Sequence, residues 1–437
     1  MIRKIVGALT ALTVCGSLAA CGASNADGKT LSILVEGGSP AETVAKDTAA
    51  GFEKLTGYNV KVDTVPYSGL YDKLKAETMS RRGVHDVAFI DVGWFPALKK
   101  GLLPVEDVLS QGELNDLMPM LRDGGTFDGH LLGVPTWTNS KVLLYRKDLF
   151  SDPANKKAFK QKYGYELTVP KTWDQYRDVA KFFTHDGMYG TGMIGATGSD
   201  SVTGWLEFAT QAGADGLVVD KNGKVDLTDG SYAKALEYMR ELVKDGSIPA
   251  DYLSLGTSEI SNLFNQGKLA MQLAWSHFYK SSASELGEDK VGAAPMIGGS
   301  AGIGAIPGPW YESILSNSNK QEIAKDYLKY MYGQNERYMT SLGVAARRSV
   351  FSKYENKPGY AHLKALEATL DSPQTQNRPA IRAWTEIETE VLSPLVQKVL
   401  KNGNAEAELA KAQKKSGRHP GLRPGVESER HHDKPTQ

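Results

Sequence analysis

Cysteine is almost absent from this sequence. Among its 437 residues the only cysteines are Cys15 and Cys21, near the start of the chain. The rest of the chain has no thiol pair that could form a disulfide. Its stability must therefore come from the burial of apolar side chains. The hydrophobic content of 41% is ordinary for a soluble globular protein, and the length suffices for more than one domain.

The sequence also has no excess of charge of either sign. Its 51 basic side chains balance 51 acidic ones, which gives a formal net charge of zero. A protein that binds nucleic acid needs a strongly basic face. The balance argues against a nucleic-acid partner and suits an uncharged ligand.

Motifs for metal binding and catalysis are scarce. Before the C-terminal tail there is no HExxH motif, cysteine cluster or close histidine pair, so no metal site is predicted. Residues 298–302 match G-x-S-x-G, but the serine lies among glycines and not between a strand and a helix. Residues 190–195 match the glycine fingerprint of dinucleotide sites and have the same defect. We expect no cofactor.

The first 21 residues are typical of an export signal. A basic start at Arg3 and Lys4 precedes an apolar core over residues 5–14, which is well short of the ~20 residues that cross a bilayer. Residues 18–21, Leu-Ala-Ala-Cys, resemble the lipobox of bacterial lipoproteins. This resemblance implies that Cys21 is diacylated and becomes the mature N-terminus at the outer face of the cell membrane. Residues 22–29 would then form a flexible tether.

Strand-like and helical patterns alternate after the tether. The strands are predicted at 31–35, 59–65 and 86–90, and helices between them at 44–55 and 71–79. This order predicts parallel strands with helices packed on the sheet. Ligands of such sheets contact the loops at the carboxyl ends of the strands, here 36–39, 66–69 and 91–94.

A stretch in the middle of the chain has unusual composition. Residues 264–279, FNQGKLAMQLAWSHFY, lead from the end of a helix into a short apolar strand and then into aromatic and polar side chains. The simplest interpretation of this stretch is an ordinary buried strand that ends at a tryptophan. The segment GKLAMQLAW, however, resembles the crossover strand of the extracellular solute-binding proteins of bacterial ABC sugar importers, which include the maltose-binding proteins. That family commonly has Gly-x-Trp after the strand, where this chain has Trp275 and His277, so either of the two could face the ligand.

Other segments resemble the same family in the expected order. Residues 133–150 resemble its first crossing between lobes, residues 308–315 its third crossing, and residues 377–384 the opening of its last helical region. The resemblance implies an α/β, two-lobe, type II periplasmic-binding-protein-like fold, with a mostly parallel sheet in each lobe and three hinge crossings. The expected boundaries are 30–137 and 276–312 for lobe 1, 138–275 and 313–415 for lobe 2, and a disordered tail over 416–437.

Sugar recognition combines aromatic rings, which stack on C–H faces, with planar polar groups, which bond hydroxyls. Most tryptophans of this chain fall at predicted loops or crossings. The candidates for contact with the ligand are Trp94, Trp137, Trp205, Trp275, His277, Trp310 and Trp384 among the rings, and Glu36, Ser68, Asp91, Glu207 and Arg378 among the polar groups. For each tryptophan a place in the core is the bland alternative, as are a solvated helix position for Glu207 and a structural ion pair for Arg378.

We therefore expect a monomeric, lipid-anchored protein that captures a mono- or oligosaccharide between two lobes and delivers it to the permease of an ABC transporter. Two alternatives stay open. A lipid-anchored glycosidase would use two of the carboxylates of Glu36, Asp91 and Glu207. A receptor for a non-sugar solute such as a polyamine predicts a more acidic site with fewer aromatic rings.

Overall fold

The computed structural model describes residues 28–220 and 224–417. The predicted export signal, the predicted lipidation site Cys21 and residues 418–437 of the predicted tail lie outside these ranges. Among the helices in the described ranges, none has both the length and the apolar character that a membrane crossing requires.

Strands and helices alternate in the first part of the described chain, and two long stretches of it, residues 147–265 and 321–416, contain only helices. The strands are β1 (Thr30–Glu36), β2 (Asn59–Val65), β3 (Val87–Asp91), β4 (Thr126–Phe127), β5 (His130–Leu131), β6 (Val134–Trp137), β7 (Lys141–Arg146), β8 (Met271–Trp275), β9 (Val291–Ala294), β10 (Gly298–Gly299), β11 (Gly302–Ile303) and β12 (Trp310–Ile314). The helices are α1 (Pro40–Thr56), α2 (Tyr67–Thr78), α3 (Phe95–Leu98), α4 (Gln111–Asp116), α5 (Pro119–Gly124), α6 (Lys147–Ser151), α7 (Pro153–Tyr163), α8 (Trp173–Phe182), α9 (Ser199–Ala212), α10 (Gly230–Lys244), α11 (Thr257–Asn265), α12 (Phe278–Leu286), α13 (Gln321–Gly333), α14 (Asn335–Leu342), α15 (Arg348–Tyr354), α16 (His362–Leu370), α17 (Trp384–Ile387), α18 (Ser393–Lys401) and α19 (Ala405–Ser416). Short 3-10 turns lie at Val92–Trp94, Lys99–Gly101 and Tyr252–Ser254, and a π-helical segment at Glu388–Leu392.

Local chemistry sets the ends of the first helix. The Ser39 hydroxyl accepts a hydrogen bond from the backbone N–H of Glu42, and Pro40 supplies a preset φ at the first helical position. Gly57, with φ of 73°, takes the left-handed conformation that ends the helix. Helix α1 therefore starts directly beyond the end of β1 and returns the chain to the start of β2.

The sheet of lobe 1 has the order β2-β1-β3-β12-β6. Strand β1 is parallel to β2 and β3, as the alternating pattern predicts. Strand β12 is antiparallel to both β3 and β6, so four of the five strands run in one direction, as expected of a mostly parallel sheet, and β12 runs against them. Strand β12 enters the sheet from lobe 2, and its first residue therefore lies beside the last residue of β3.

The sheet of lobe 2 has the order β8-β7-β9, and both pairings are antiparallel. The expected parallel sheet is therefore not found here. Strands β8 and β9 run in the same direction and are joined through α12, but β7, which arrives from lobe 1, lies between them. Two strands that are parallel to each other thus each pair with an antiparallel neighbour.

Within the described ranges the chain passes between the two sheets three times, over residues 138–140, 304–309 and 355–361. Residues 276–294 stay with lobe 2, because β9 pairs with β7. Helices α13 and α14 pack on the sheet of lobe 1, where Tyr327 and Tyr338 are buried. These positions differ from the expected boundaries, which assign 276–312 to lobe 1 and 313–415 to lobe 2.

Most of the buried apolar side chains form two clusters. The first surrounds the sheet of lobe 1, with Ile33 and Phe89 at its centre, and extends along α11 and α16. The second lies among the helices of lobe 2 and includes Trp205 and Val396. The first cluster also includes Val142, Leu144 and Val291 from the strands of lobe 2, so the two sheets share one body of buried packing.

Candidate ligand-binding cleft

Two adjoining cavities lie between the lobes. The first, which we call the aromatic cavity, has a volume of about 500 Å³, and its walls include Trp137, Trp275 and Trp310. The second, which we call the acidic cavity, has a volume of about 660 Å³, and its walls include Glu386, Glu388 and Glu390. Tyr67, Ser199 and Asp200 line both cavities and form the partition between them.

The sheet of lobe 1 brings four predicted residues to the aromatic cavity. Glu36 and Asp91 are the last residues of β1 and β3, which end at the same edge because these strands are parallel. Trp310 begins the antiparallel strand β12 and pairs in register with Asp91 on one side and Trp137 on the other. All four side chains line the aromatic cavity.

The rings of lobe 1 pack against one another. Trp310 lies 6.1 Å from Trp137 in a stacked arrangement, 5.5 Å from Trp94 in an edge-to-face arrangement and 6.0 Å from Tyr67, measured between ring centroids. Such mutual packing holds each ring in one orientation. Trp94 is buried within this group and lines the acidic cavity.

Both residues that follow strand β8 line the aromatic cavity. The indole N–H of Trp275 donates to the Asp200 carboxylate at 3.4 Å, and its half-buried ring lies 5.4 Å from the ammonium of Lys141. The Nδ1 atom of His277 accepts from the side-chain amide of Asn139 at 3.0 Å. Burial lowers the pKa of His277 to about 4, against a smaller opposing effect of Asp200, so the ring is neutral at pH 7.

An ion pair connects the lobes at the inner wall of the aromatic cavity. Arg378 lies in the loop that is tied to lobe 2 through Gln376, and its guanidinium is 2.6 Å from the Asp91 carboxylate of lobe 1. Both side chains are 6% exposed. Burial disfavours the charged guanidinium, but the Asp91 carboxylate raises the pKa of Arg378 above its usual range. Arg378 thus lines the cavity, as predicted, and also makes a structural ion pair, which was the alternative expected for it.

Two carboxyl groups of the cleft have strongly shifted pKa values. Burial raises the pKa of Glu36 to about 7, and the neighbouring carboxylates of Asp91 and Asp200 add to the shift. Burial also raises the pKa of Glu388 to about 8; Arg378 opposes this shift, and the same two carboxylates reinforce it. At pH 7 these groups can both donate and accept hydrogen bonds, as the hydroxyl groups of a sugar require.

Three of the predicted contacts do not reach either cavity. Trp205 lies on helix α9 and is fully buried in the core of lobe 2, where its indole N–H donates to the backbone carbonyl of Tyr232 at 3.1 Å. Glu207 is buried beside Lys141, whose ammonium lies 2.8 Å from its carboxylate. Trp384 is buried in the core of lobe 2 at the start of α17. The prediction that these three contact the ligand disagrees with their positions: two lie in the core, and the third is held by a structural ion pair.

Ser68 lies in the first turn of α2 and not in a loop before it. The residues that sequence reasoning missed are its neighbour Tyr67, and also Asp200 and Glu388. Asp200 lies in the first turn of α9, and Glu388 begins the π-helical segment. A π-helical turn is often found at functional sites, but nothing in the sequence of Glu388–Leu392 predicts that this segment is π-helical.

Two lobes with a ligand-sized cleft between them are the architecture of periplasmic binding proteins, and the solved structures that this chain resembles are of type II. The solved structure of a maltose-bound MalE3 of T. maritima has this fold: the TM-score is 0.75 at 23% identity, covering 88% of this chain and 98% of that one. The family model described as bacterial extracellular solute-binding protein matches residues 33–336, so the chain belongs to that family. Members of this family bind solutes and are not enzymes, which removes the glycosidase alternative.

Curated relatives agree with this assignment over most of their length. A probable ABC transporter-binding protein of Deinococcus radiodurans is 25% identical over 367 residues, which are 81% of this chain and 83% of that protein. The diacetylchitobiose binding protein DasA of Streptomyces coelicolor is 24% identical over 430 residues, 89% of this chain and 92% of that protein.

Proposed function

We propose that the protein is an exported receptor that captures a sugar or oligosaccharide between its lobes and delivers it to the permease of an ABC transporter. One observation carries the proposal: three indole rings and several hydrogen-bonding carboxyl groups from both lobes face a single cavity. The names of the relatives support it, since DasA is a diacetylchitobiose binding protein and the MalE3 structure holds maltose.

The walls of the aromatic cavity have the two kinds of group that sugars need. Trp275 projects from lobe 2, while Trp137 and Trp310 form a stacked pair on lobe 1. A pyranose ring that lies between them offers its C–H faces to the indoles and its hydroxyl groups to Glu36 and Asp200. These contacts would supply both the apolar and the polar part of recognition.

The ligand would also hold the lobes together. A solute that touches lobe 1 through Trp310 and lobe 2 through Trp275 binds the closed form better than the open one, so it shifts the population toward closure. The closed form presents one continuous surface of both lobes, which is what a permease can distinguish from the empty receptor.

The direct test is a fluorescence titration with mono- and oligosaccharides. Ligand that stacks on Trp275 should change indole emission, and the change should be reduced in Trp275→Phe, where only Trp137 and Trp310 of the cavity can still respond. Trp173 lies in the core of lobe 2 and lines neither cavity, so Trp173→Phe is the matched control and should keep the response. No emission change and no heat of binding across the panel would reject the proposal.

Lipid anchoring and a monomeric state belong to the same proposal. The support for the anchor is the lipobox-like sequence that ends in Cys21. In the native host Cys21→Ser should move the protein from the membrane fraction to the medium, without the mass of a diacylglyceryl group at the N-terminus. A variant that stays in the membrane fraction would exclude anchoring through this cysteine.

A further inference from the structure

The cleft is far more acidic than the chain as a whole. Among the described residues, the carboxylates that line the two cavities include Glu36, Asp91, Asp200, Glu386 and Glu388, whereas the cationic side chains that line them are Arg378 and Lys75. The complete sequence has equal numbers of acidic and basic side chains. The excess of negative charge is therefore a local property of the cleft.

Both cations of the cleft already have a partner. Arg378 pairs with Asp91 at 2.6 Å, and Lys75 pairs with Glu386. Lys141, behind Trp275, is paired with Glu207 and lines neither cavity.

Among the described residues, no ion pair is found at the carboxyl groups of Glu36, Asp200 or Glu388, although the charge of Arg378 acts on Glu388. Asp200 accepts hydrogen bonds from the Thr257 hydroxyl and the Trp275 indole. No hydrogen bond or ion pair to the Glu36 carboxyl group is found among the described residues.

Of these three carboxyl groups, Glu388 gives the strongest evidence for a cationic ligand. Its side chain is 3% exposed, it lines the acidic cavity, and its Oε1 atom has no hydrogen-bond partner within the described part of the chain. A buried carboxyl oxygen without a partner is costly, and the charged form more so. A positive charge brought by the ligand would pair with it.

The partition between the cavities is the point where these groups converge. Asp200 lines both cavities, and its charge acts on Glu36 from one side and on Glu388 from the other. A cation beside Asp200 would favour the charged forms of Glu36 and Glu388 and would then be attracted by all three carboxyl groups. The neighbouring indoles add attraction for a cation and keep their ability to stack on a sugar ring.

We propose that the ligand is an amino sugar or an oligosaccharide with a free amine, whose ammonium group lies at the partition and pairs with Asp200, Glu36 and Glu388. This inference rests on the proposed sugar-binding function and specifies its ligand class. It combines the acidity expected of a polyamine site with the aromatic rings expected of a sugar site, since the cleft has both.

The test compares disaccharides that differ only at C2. The probes are the β-1,4-linked disaccharide of glucosamine, N,N′-diacetylchitobiose and cellobiose, which present an ammonium, an acetamide and a hydroxyl group at that carbon. Spermidine provides a cation without a sugar. Isothermal titration calorimetry at pH 7 should give a Kd for the glucosamine disaccharide at least about tenfold lower than for either neutral disaccharide.

Two variants locate the effect. Glu388→Gln and Asp200→Asn keep the shape of the side chain and remove its ability to carry a negative charge beside the ammonium group, and each should reduce the preference for the amine at least about fivefold. Glu53 is an exposed carboxylate on α1, and Glu53→Gln removes the same charge away from the cleft, so the preference should stay as in the wild type. Circular dichroism and thermal melts confirm that each variant is folded.

Each outcome of these titrations supports or overturns the proposed amine ligand. A neutral disaccharide that binds as tightly as the amine, or an amine preference that survives both cleft variants, overturns the inference and leaves the sugar-receptor function standing. Binding of spermidine without any saccharide would uphold the cationic ligand and reject the sugar function. If none of the four probes binds, the amine proposal fails, and the sugar panel decides the function separately.

Discussion

The buried ion pair between Asp91 and Arg378 should control how readily the lobes close. Asp91→Asn keeps the size of the side chain, and its Oδ1 can still accept from the backbone N–H of Gly93, now at 2.9 Å. The change leaves the Arg378 guanidinium buried in the closed form without its counterion. Because Asp91 and Arg378 belong to different lobes, we expect opening of the cleft to expose the guanidinium to water, so that the cost falls on the closed form.

The size of the effect follows from the burial. Removal of one partner of a buried pair typically costs about 3–5 kcal/mol. The lower value corresponds to a shift of more than about a hundredfold in the equilibrium between open and closed forms. A second bridge across the cleft, between Lys75 and Glu386, is much more exposed, and Lys75→Met should change closure by no more than about 1 kcal/mol.

Small-angle X-ray scattering of the ligand-free protein measures this directly. The radius of gyration of Asp91→Asn should exceed that of the wild type and of Lys75→Met. Because no ligand is present, a direct contact between Asp91 and sugar cannot produce the difference. An unchanged radius of gyration in Asp91→Asn, together with a Kd within threefold of the wild type, would refute the reasoning.

Three further predictions concern single sites. Trp275→Ala should weaken sugar binding by about 1–3 kcal/mol in calorimetry, as expected for an aromatic anchor, and an unchanged Kd in the folded variant would assign the ring to packing alone. Lys141→Met leaves the carboxylate of Glu207 buried without its partner and should lower the free energy of unfolding in urea by about 3–5 kcal/mol; the double variant with Glu207→Gln should recover most of the loss, and a double variant no better than the single one would contradict this. The pKa of His277 is about 4 in the folded chain and 6.5 in the unfolded chain. As the pH falls, the unfolded chain therefore binds a proton at this residue before the folded chain does. The free energy of unfolding should therefore decrease by up to about 3 kcal/mol from pH 6.5 to 4, and by less in His277→Gln; equal acid profiles would argue against this role.

The parts of the site that could be predicted from the sequence lie at the ends of strands. The period of the apolar residues indicates β1 and β3, and parallel strands that alternate with helices must end at one edge of their sheet. Glu36 and Asp91 follow from that rule alone. Trp137 and Trp310 follow from the resemblance of their segments to the crossings of the family, and both line the aromatic cavity.

The errors arise where local sequence does not determine the partner. Trp205 and Asp200 lie in the same helix, yet one faces the core of lobe 2 and the other faces the cleft, because the two positions point to different sides of α9. Strand β9 pairs with β7, about 150 residues earlier in the chain, and the four small or apolar residues of β9 carry no sequence signal that names this partner. Side-chain direction and long-range pairing thus decided what composition left open.

The sequence by itself determined the class of this protein, because its crossing segments resemble those of the solute-binding family and because the apolar periods of its first strands and helices are local properties. Only the tertiary structure decided the chemistry of the cleft. Asp200, Glu388 and Arg378 are far apart in the chain, and only the packing of the two lobes brings them to a single buried space. Because they are little exposed to water there, the electrostatic interactions between them are strong.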